Sequence, residues 1–358
     1  MLRARNGDPM DNDTPTMPTA PLGRSGLTVS RLALGTMTFG AESSTEEAMD
    51  QLDLFVAAGG TFIDTADVYA DGESERIVGQ WLRQRRPQDV VVATKGRFGP
   101  PPGSSGASRR SLVRSVDASL TRLGVDAIDL YFVHGWDDAV PVAETLDTLS
   151  SLVRAGKIHH LGWSNVTGWQ LATIMTTARL GGHVEPCVVQ PQYNLLDRGI
   201  EVEVLPCCRD EGLATTPWSP LGGGWLTGKY QRDERPTGET RLGEDPDRGV
   251  EAWDRRNTDR TWAVVDTVRE IAERHDRPMP QVAIAWLLTR PTVASVLLGA
   301  RTPEQLDQSL GAAGLELTDE DLEQLTAVSA PTLPPYPYRM VEDHCGVEHW
   351  RDLGMERV

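Results

Sequence analysis

The sequence predicts an α/β fold, a closed (β/α)8 barrel of the TIM type with long loops at its C-terminal face and a C-terminal extension. Eight short apolar runs, each followed by a helical pattern, alternate along the 358 residues. Three of these runs end in, or lead into, an ionisable side chain. Parallel barrel strands present their carboxyl ends at one face, so such side chains would meet there. A doubly wound open sheet is the alternative, and it would not require eight such units.

Each predicted strand is a short apolar run between polar or turn-forming residues. In chain order the eight predicted strands are Leu32–Gly35, Thr61–Thr65, Val90–Thr94, Ile128–Val133, His160–Ser164, Cys187–Gln190, Leu213–Trp218 and Ala294–Leu298.

The helical patterns carry apolar residues every three or four positions and have recognisable ends. Ser44 and Glu47 form a capping box ahead of the first helix, and Gly59 follows its end. Thr302 and Pro303 have the types expected at the cap and first position of the last helix. Between them we expect helices around residues 77–82, 112–123, 142–154, 169–179, 202–209, 260–274 and 280–288.

The acidic composition argues against polyanionic binding partners. With 52 acidic and 35 basic residues the net charge is −17, so nucleic acid and anionic membrane surfaces are not expected partners. No apolar run is long enough to cross a bilayer. The four cysteines form no CxxC pattern, so we expect no zinc site or other metal centre, no disulfide framework and a cytoplasmic location.

The chain divides into three parts. Residues 1–20 are polar, lack the apolar segment of a secretory signal and are expected to be a disordered leader. Residues 21–330 would form the barrel, interrupted by a polar insertion at 231–258 that we expect to influence substrate choice. The tail, 331–358, is expected to be extended and to pack over the barrel.

Four side chains at the ends of strands two to four suggest carbonyl reduction. Asp64 and Tyr69 follow strand two, Lys95 follows strand three, and His134 follows strand four. A reduced carbonyl needs a proton on oxygen, and a tyrosine beside an ammonium becomes a better donor. Lys95 could lower the pKa of Tyr69, Asp64 could hold Lys95, and His134 could orient the carbonyl oxygen.

Polar residues at the ends of the later strands fit a nicotinamide. Ser164, Asn165 and Gln190 offer donors and acceptors for a carboxamide, and the Trp218 indole could stack on the ring. No GxGxxG follows a strand, so a Rossmann dinucleotide site is not indicated.

Two later motifs fit phosphate groups. The glycine-rich run at 222–230 contains Lys229 and suits a pyrophosphate, but Tyr230 stands where a P-loop needs Ser or Thr, which excludes an NTPase. Arg301 precedes a helix and could bind a 2′-phosphate, which favours NADP over NAD.

In these motifs the chain resembles the aldo-keto reductase superfamily, from about Leu22 to Pro331. The matching segments are FIDTADVY, VVATKG, DLYFVHGWD, GWSN, QPQYN, WSPLGGGWLTGKY and LLGARTPEQL, and PWSPL marks one branch. The resemblance implies an NADP(H)-dependent barrel reductase with Asp64, Tyr69, Lys95 and His134 as catalytic residues. The cofactor-binding residues that it implies are Gly35, Thr36, Met37, Asp64, Ser164, Asn165, Gln190, Trp218, Ser219, Leu221, Gly224, Lys229, Gly299, Arg301, Gln305 and Ser309.

The resemblance leaves the substrate open among small aldehydes, ketones and sugar-derived carbonyls, some in secondary metabolism. Trp136 is a candidate for the substrate pocket, and Tyr336 and Tyr338 are further candidates. Two other functions remain: an aldolase-like Schiff base on Lys95, and an NADPH-binding regulatory subunit with little turnover. The oligomeric state is open.

Overall fold

A parallel eight-stranded sheet, curled into a barrel, organises the computed structural model, which describes residues 17–99, 105–238, 240–247 and 249–346. An antiparallel hairpin of β1 (Thr19–Pro21) and β2 (Thr28–Ser30) precedes it. The barrel strands are β3 (Leu32–Gly35), β4 (Phe62–Asp64), β5 (Val91–Gly96), β6 (Ile128–Val133), β7 (Ile158–Ser164), β8 (Val188–Gln190), β9 (Ala214–Thr215) and β10 (Val296–Gly299).

The two edges of this sheet meet. The strand order is β10-β3-β4-β5-β6-β7-β8-β9. A parallel bridge pairs Thr215 with Val293, and the amide of Leu297 donates to the carbonyl of Pro217 at 3.0 Å. The predicted (β/α)8 barrel is therefore confirmed, and the open doubly wound sheet is wrong.

Helices connect the strands around the outside of the barrel. They are α1 (Thr45–Ala57), α2 (Glu73–Arg85), α3 (Arg109–Leu123), α4 (Val142–Arg154), α5 (Gly168–Gly181), α6 (Val204–Glu211), α7 (Arg241–Glu244), α8 (Trp253–Arg256), α9 (Asp259–Arg274), α10 (Met279–Leu288), α11 (Pro303–Leu310), α12 (Asp319–Val328) and α13 (Met340–Cys345). Ser44 and Glu47 form the predicted capping box of α1, and Thr302 caps α11. The polar insertion contains α7 and α8.

The hairpin closes the N-terminal end of the barrel. Leu22 and Val29 are fully buried and belong to the same apolar cluster as the barrel-interior residues Phe62 and Phe132. Gly23, at the turn, lies so close to β8 that a Cβ there would come within 2.2 Å of the Cys187 carbonyl oxygen. The opposite, C-terminal end is thereby left as the face open to ligands.

Three predicted segments differ from the structure. The seventh strand is only Ala214–Thr215, not Leu213–Trp218, because Pro217 has no N–H for a ladder. The expected leader, 1–20, lies mostly outside the described residues, but Thr19 and Ala20 belong to β1. The described part of the tail is helical over Met340–Cys345 and not extended, while 347–358 lie outside the described residues.

Within the described ranges, no helix combines the length and apolarity needed to cross a bilayer, and no cluster of metal-ligating side chains occurs.

Candidate active site

The four predicted catalytic side chains meet at the C-terminal face. The ammonium of Lys95 donates to the Asp64 carboxylate, to the Thr65 carbonyl oxygen at 2.8 Å and to the Tyr69 hydroxyl oxygen at 3.2 Å. The ring of Tyr69 lies edge-on to that of His134, with centroids 6.1 Å apart. Parallel strands β4, β5 and β6 produce this arrangement, since adjacent strands deliver their ends side by side.

Burial sets the protonation states. Burial raises the pKa of Tyr69 and outweighs the lowering by Lys95, so the phenol stays neutral. Lys95 acts in the predicted direction, because its charge and its hydrogen bond both lower the pKa of Tyr69, but burial is the larger effect and the net pKa is raised. Burial opposes the charge of Lys95, but the Asp64 carboxylate raises its pKa and keeps the ammonium. Burial, with Lys95 and Arg97 nearby, lowers the pKa of His134 well below its usual range, so its imidazole is neutral.

Gln190 and Ser164 support the carboxylate from the next strands. The side-chain amide of Gln190 donates to the second oxygen of Asp64 at 2.8 Å, and the Ser164 hydroxyl donates to the Gln190 carbonyl oxygen at 2.7 Å. All three side chains are at most 2% exposed. Asp64 thus has one oxygen for Lys95 and one for Gln190.

Asn165 links the histidine to the tryptophan. Its amide donates to the His134 carbonyl oxygen at 2.9 Å, and its oxygen accepts from the Trp218 indole N–H at 3.2 Å. Asn165 has a φ of 54°, a left-handed conformation that Asn tolerates better than most residues. These bonds fix the Trp218 ring beside the reacting groups. The buried Nδ1 of His134 has no hydrogen-bond partner among the described residues.

A cavity of about 610 Å³ extends from Tyr69 and His134 along the carboxyl face. Every predicted cofactor-binding residue except Thr36 lines it. Thr36 is fully buried in the wall behind, where its hydroxyl donates to the Asp64 carbonyl oxygen at 3.1 Å. Lys95 is fully buried behind the lining, and Trp136 does not line the cavity.

Glycines shape one side of the cavity. Gly222, Gly223 and Gly224 have φ of 56°, 67° and 95°, all in the left-handed region. A Cβ on Gly224 would come within 2.6 Å of the Lys229 ammonium, so a side chain there would displace it. Within the described residues this ammonium has neither a hydrogen bond nor an ion pair, only the Tyr230 ring 5.2 Å away. The loop therefore places this cation beside partly exposed glycine backbone.

Arg301 lies at the far end of the cavity and is already paired. Its two terminal nitrogens donate to Glu244 at 2.7 and 2.8 Å, and its Nε lies 2.7 Å from Glu42. The backbone N–H of Arg301 donates to the Gln305 side chain at 3.0 Å, next to the Thr302 cap of α11. A phosphate binding here would compete with both carboxylates for the guanidinium.

The structure adds polar cavity residues that the sequence analysis did not name. They include Glu42, Thr240, Arg241 and Gln308. Thr240 and Arg241 belong to the insertion expected to affect substrate choice, yet they lie at the Arg301 end. The signal available in the sequence was weak, because nothing fixes where a long polar insertion folds back.

The described part of the tail lies to one side. The Tyr338 hydroxyl donates to Glu203 at 2.8 Å, ahead of α6, and Tyr336 is 75% exposed. Neither of the two tyrosines lines the cavity.

Comparison with known proteins identifies the family. The family model for the aldo/keto reductase family matches residues 31–330. Norsolorinic acid reductase of Emericella nidulans is 34% identical over 84% of this chain and 78% of its own length. A probable voltage-gated potassium channel subunit beta of Oryza sativa is 36% identical over 86% of this chain and 95% of its own length. The NADH-specific methylglyoxal reductase of Escherichia coli is 33% identical over 84% of this chain and 95% of its own length. The chain therefore belongs to the aldo/keto reductase family, whose members act on carbonyl compounds with a nicotinamide cofactor.

Proposed function

We propose that this protein reduces an aldehyde or ketone to an alcohol with NADPH, and that Tyr69 supplies the proton. The observation that carries the proposal is the contact of the Lys95 ammonium with both Tyr69 and the buried Asp64. When bound, the nicotinamide supplies the hydride. Tyr69, Lys95 and His134 act on the charge that then develops on the carbonyl oxygen.

Tyr69 acts as the general acid. Its phenol is neutral and can donate its hydrogen to the substrate oxygen as negative charge builds there. The phenolate left behind is stabilised by the Lys95 ammonium, 3.2 Å from the hydroxyl oxygen at rest. Asp64 keeps that ammonium charged, and because both side chains are buried, solvent screens their attraction only weakly.

His134 orients the substrate. Its imidazole is neutral and lines the cavity beside Tyr69. A neutral imidazole keeps one N–H, which can donate a hydrogen bond to the substrate carbonyl oxygen that Tyr69 protonates. A neutral donor does not compete with Tyr69 for delivery of the proton.

The residues around the cavity suit the cofactor. Ser164, Asn165 and Gln190 would contact the carboxamide, and the fixed indole of Trp218 would lie against the ring. The glycine loop with Lys229 fits a pyrophosphate, because glycines leave room for phosphate oxygens to approach the backbone and the ammonium makes no ion pair within the described residues.

Arg301 is the basis for proposing NADPH rather than NADH. It is a bidentate cation beside the start of α11, where a 2′-phosphate would also meet helix N–H groups. Arg301→Ala should weaken NADPH binding far more than NADH binding, measured by fluorescence titration. Equal losses for the two cofactors would place the 2′-phosphate elsewhere.

The reaction is tested with Tyr69→Phe. The variant should lose NADPH-dependent reduction across a carbonyl panel while its Kd for NADPH stays within about twofold, since only the hydroxyl is removed. NADPH oxidation at 340 nm measures the first quantity and fluorescence the second. Unchanged turnover would refute the role of Tyr69.

Two alternatives have less support. A Schiff base on Lys95 needs a free amine, whereas Asp64 keeps Lys95 protonated. A regulatory subunit with little turnover is suggested by the name of the rice relative, and it predicts NADPH binding with no reduction of any carbonyl tested. The four cysteines, which are free thiols, support the further proposal of a reducing, cytoplasmic location.

A further inference from the structure

Aromatic side chains from three strand-to-helix connections continue outward from the reacting groups. Phe98 lies between β5 and α3, Trp136 lies between β6 and α4, and Trp169 lies in the first turn of α5. We call these three residues the aromatic shelf. All three follow the carboxyl ends of the adjacent strands β5, β6 and β7, so the shelf lies on the same face as the candidate active site.

The shelf is continuous with the site. The Phe98 ring has its centroid 5.0 Å from that of His134, which in turn lies 6.1 Å from the Tyr69 ring. Phe98 packs directly on Gly135, where a Cβ would come within 2.9 Å of the ring. A molecule whose carbonyl reaches Tyr69 and His134 therefore has Phe98 as its next neighbour.

The shelf is also held in place. Arg97 donates to the Trp136 carbonyl oxygen at 2.6 Å, and its guanidinium lies 4.5 Å from the centre of the Phe98 ring, so it connects two of the loops. The Trp136 indole donates to Asp138 at 2.6 Å and meets Trp169 edge-on at 5.5 Å. A surface fixed before binding loses little side-chain entropy when a ligand arrives.

Exposure marks the shelf as a binding surface. Trp169 is 58% exposed and Phe98 is 45% exposed. Trp81 and Trp286, by contrast, are at most 1% exposed. Exposed aromatic side chains grouped beside a cavity are typical of a ligand site, because leaving apolar surface in water is unfavourable.

We propose that the aromatic shelf binds the ring system of a flat, polycyclic aromatic carbonyl substrate while its carbonyl group lies at Tyr69 and His134. The proposal rests on the proposed reduction and names its substrate class. A single ring next to the carbonyl can contact Phe98 only, whereas fused rings extend toward Trp136 and Trp169. Each aromatic pair should improve binding about 2- to 12-fold beyond the effect of buried area.

The first test compares three aldehydes of increasing ring number, methylglyoxal, benzaldehyde and 2-naphthaldehyde, with NADPH. We expect kcat/KM to rise with ring number. Phe98→Ala and Trp169→Ala should each lower the ratio of kcat/KM for 2-naphthaldehyde to that for methylglyoxal by about 2- to 12-fold, mainly through KM. Trp169→Phe should retain most of the ratio, because it keeps an aromatic face.

Leu180→Ala is the matched control. Leu180 is 84% exposed on the same helix as Trp169 but near its opposite end, so its removal should leave the ratio unchanged. No gain with ring number, or equal losses for all three aldehydes, would overturn the proposal. If Trp169→Ala dissociated an oligomer in sedimentation without changing the ratio, the shelf would be a protein interface instead, and the proposal would be wrong.

A binding measurement separates this inference from the proposed reaction. Calorimetry with 2-naphthamide, an unreactive flat amide, needs no turnover. Binding that weakens about 2- to 12-fold in Trp169→Ala supports the shelf even if the unmodified protein reduces no carbonyl, a result that would refute only the proposed reaction. Equal affinity of the unmodified protein and of Trp169→Ala for 2-naphthamide would overturn the proposal that the aromatic shelf binds the substrate.

Discussion

Replacing Lys95 by methionine tests the buried ion pair of the candidate site. The side chains of Lys95 and Asp64 are 0% and 1% exposed, so the variant leaves a carboxylate without its cation in a nearly dry environment. Breaking a buried pair in this way costs about 3–5 kcal/mol of the free energy of unfolding. Gln190 still donates to Asp64, which argues for the lower end of that range.

The loss of unfolding free energy in Lys95→Met should depend on pH, and a second substitution should restore stability without restoring activity. In Lys95→Met the isolated carboxylate has a pKa raised by burial, so the destabilisation is small at pH 5 and grows as the pH rises to 8. Asp64→Asn combined with Lys95→Met removes both charges and should recover most of the stability. Reduction should stay lost in both variants, since Tyr69 no longer has a cation to stabilise its phenolate.

Urea unfolding at pH 5 and pH 8 measures the stability, and NADPH oxidation measures the activity. Lys95→Arg serves as a control, because it keeps the charge while changing the geometry of the donor. If the double variant were as unstable as Lys95→Met at pH 8, the loss would come from the packing of the lysine stem and not from an unpaired charge.

Three further predictions concern other sites. Burial raises the pKa of Asp67 to about 7, above its value of about 3.9 in the unfolded chain. The protonated carboxyl therefore stabilises the folded state fully below about pH 4, and this stabilisation is lost as the pH rises to about 7. The unfolding free energy of the native protein relative to Asp67→Asn should therefore fall by up to about 4 kcal/mol over that window, measured by urea titrations. Glu244→Gln should tighten NADPH binding about two- to fivefold and leave NADH binding unchanged, because one competitor for Arg301 is gone. Ser44→Ala should cost about 1 kcal/mol by removing the α1 cap, seen as a lower urea midpoint.

The outcomes that contradict these predictions differ. A difference between the native protein and Asp67→Asn that is flat from pH 4 to 7 would show that Asp67 is ionised throughout. Equal tightening of both cofactors by Glu244→Gln would mean that Glu244 acts on the pyrophosphate end. Thr45→Ala, at the neighbouring helix position, is the control for Ser44.

The sequence by itself determined the barrel and the residues at its strand ends. Apolar runs ending at Asp64, Lys95 and His134 identified three neighbouring strands, and the caps at Ser44 and Thr302 located two helices. These features are local: strand period, capping chemistry and the alternation of strand and helix can be detected within a few residues. The parallel topology then brings the strand ends together without further information.

Only the tertiary structure decided which charges and rings share an environment. The pairing of Arg301 with Glu42 and Glu244 joins residues far apart in the chain. The raised pKa of Tyr69 depends on burial, which outweighs its neighbouring ammonium. Phe98 lies against His134 and Trp169 against Trp136 because the connections that follow three adjacent strands meet at one face. Burial and long-range contacts are properties of the packed chain, and no local pattern in the sequence encodes them.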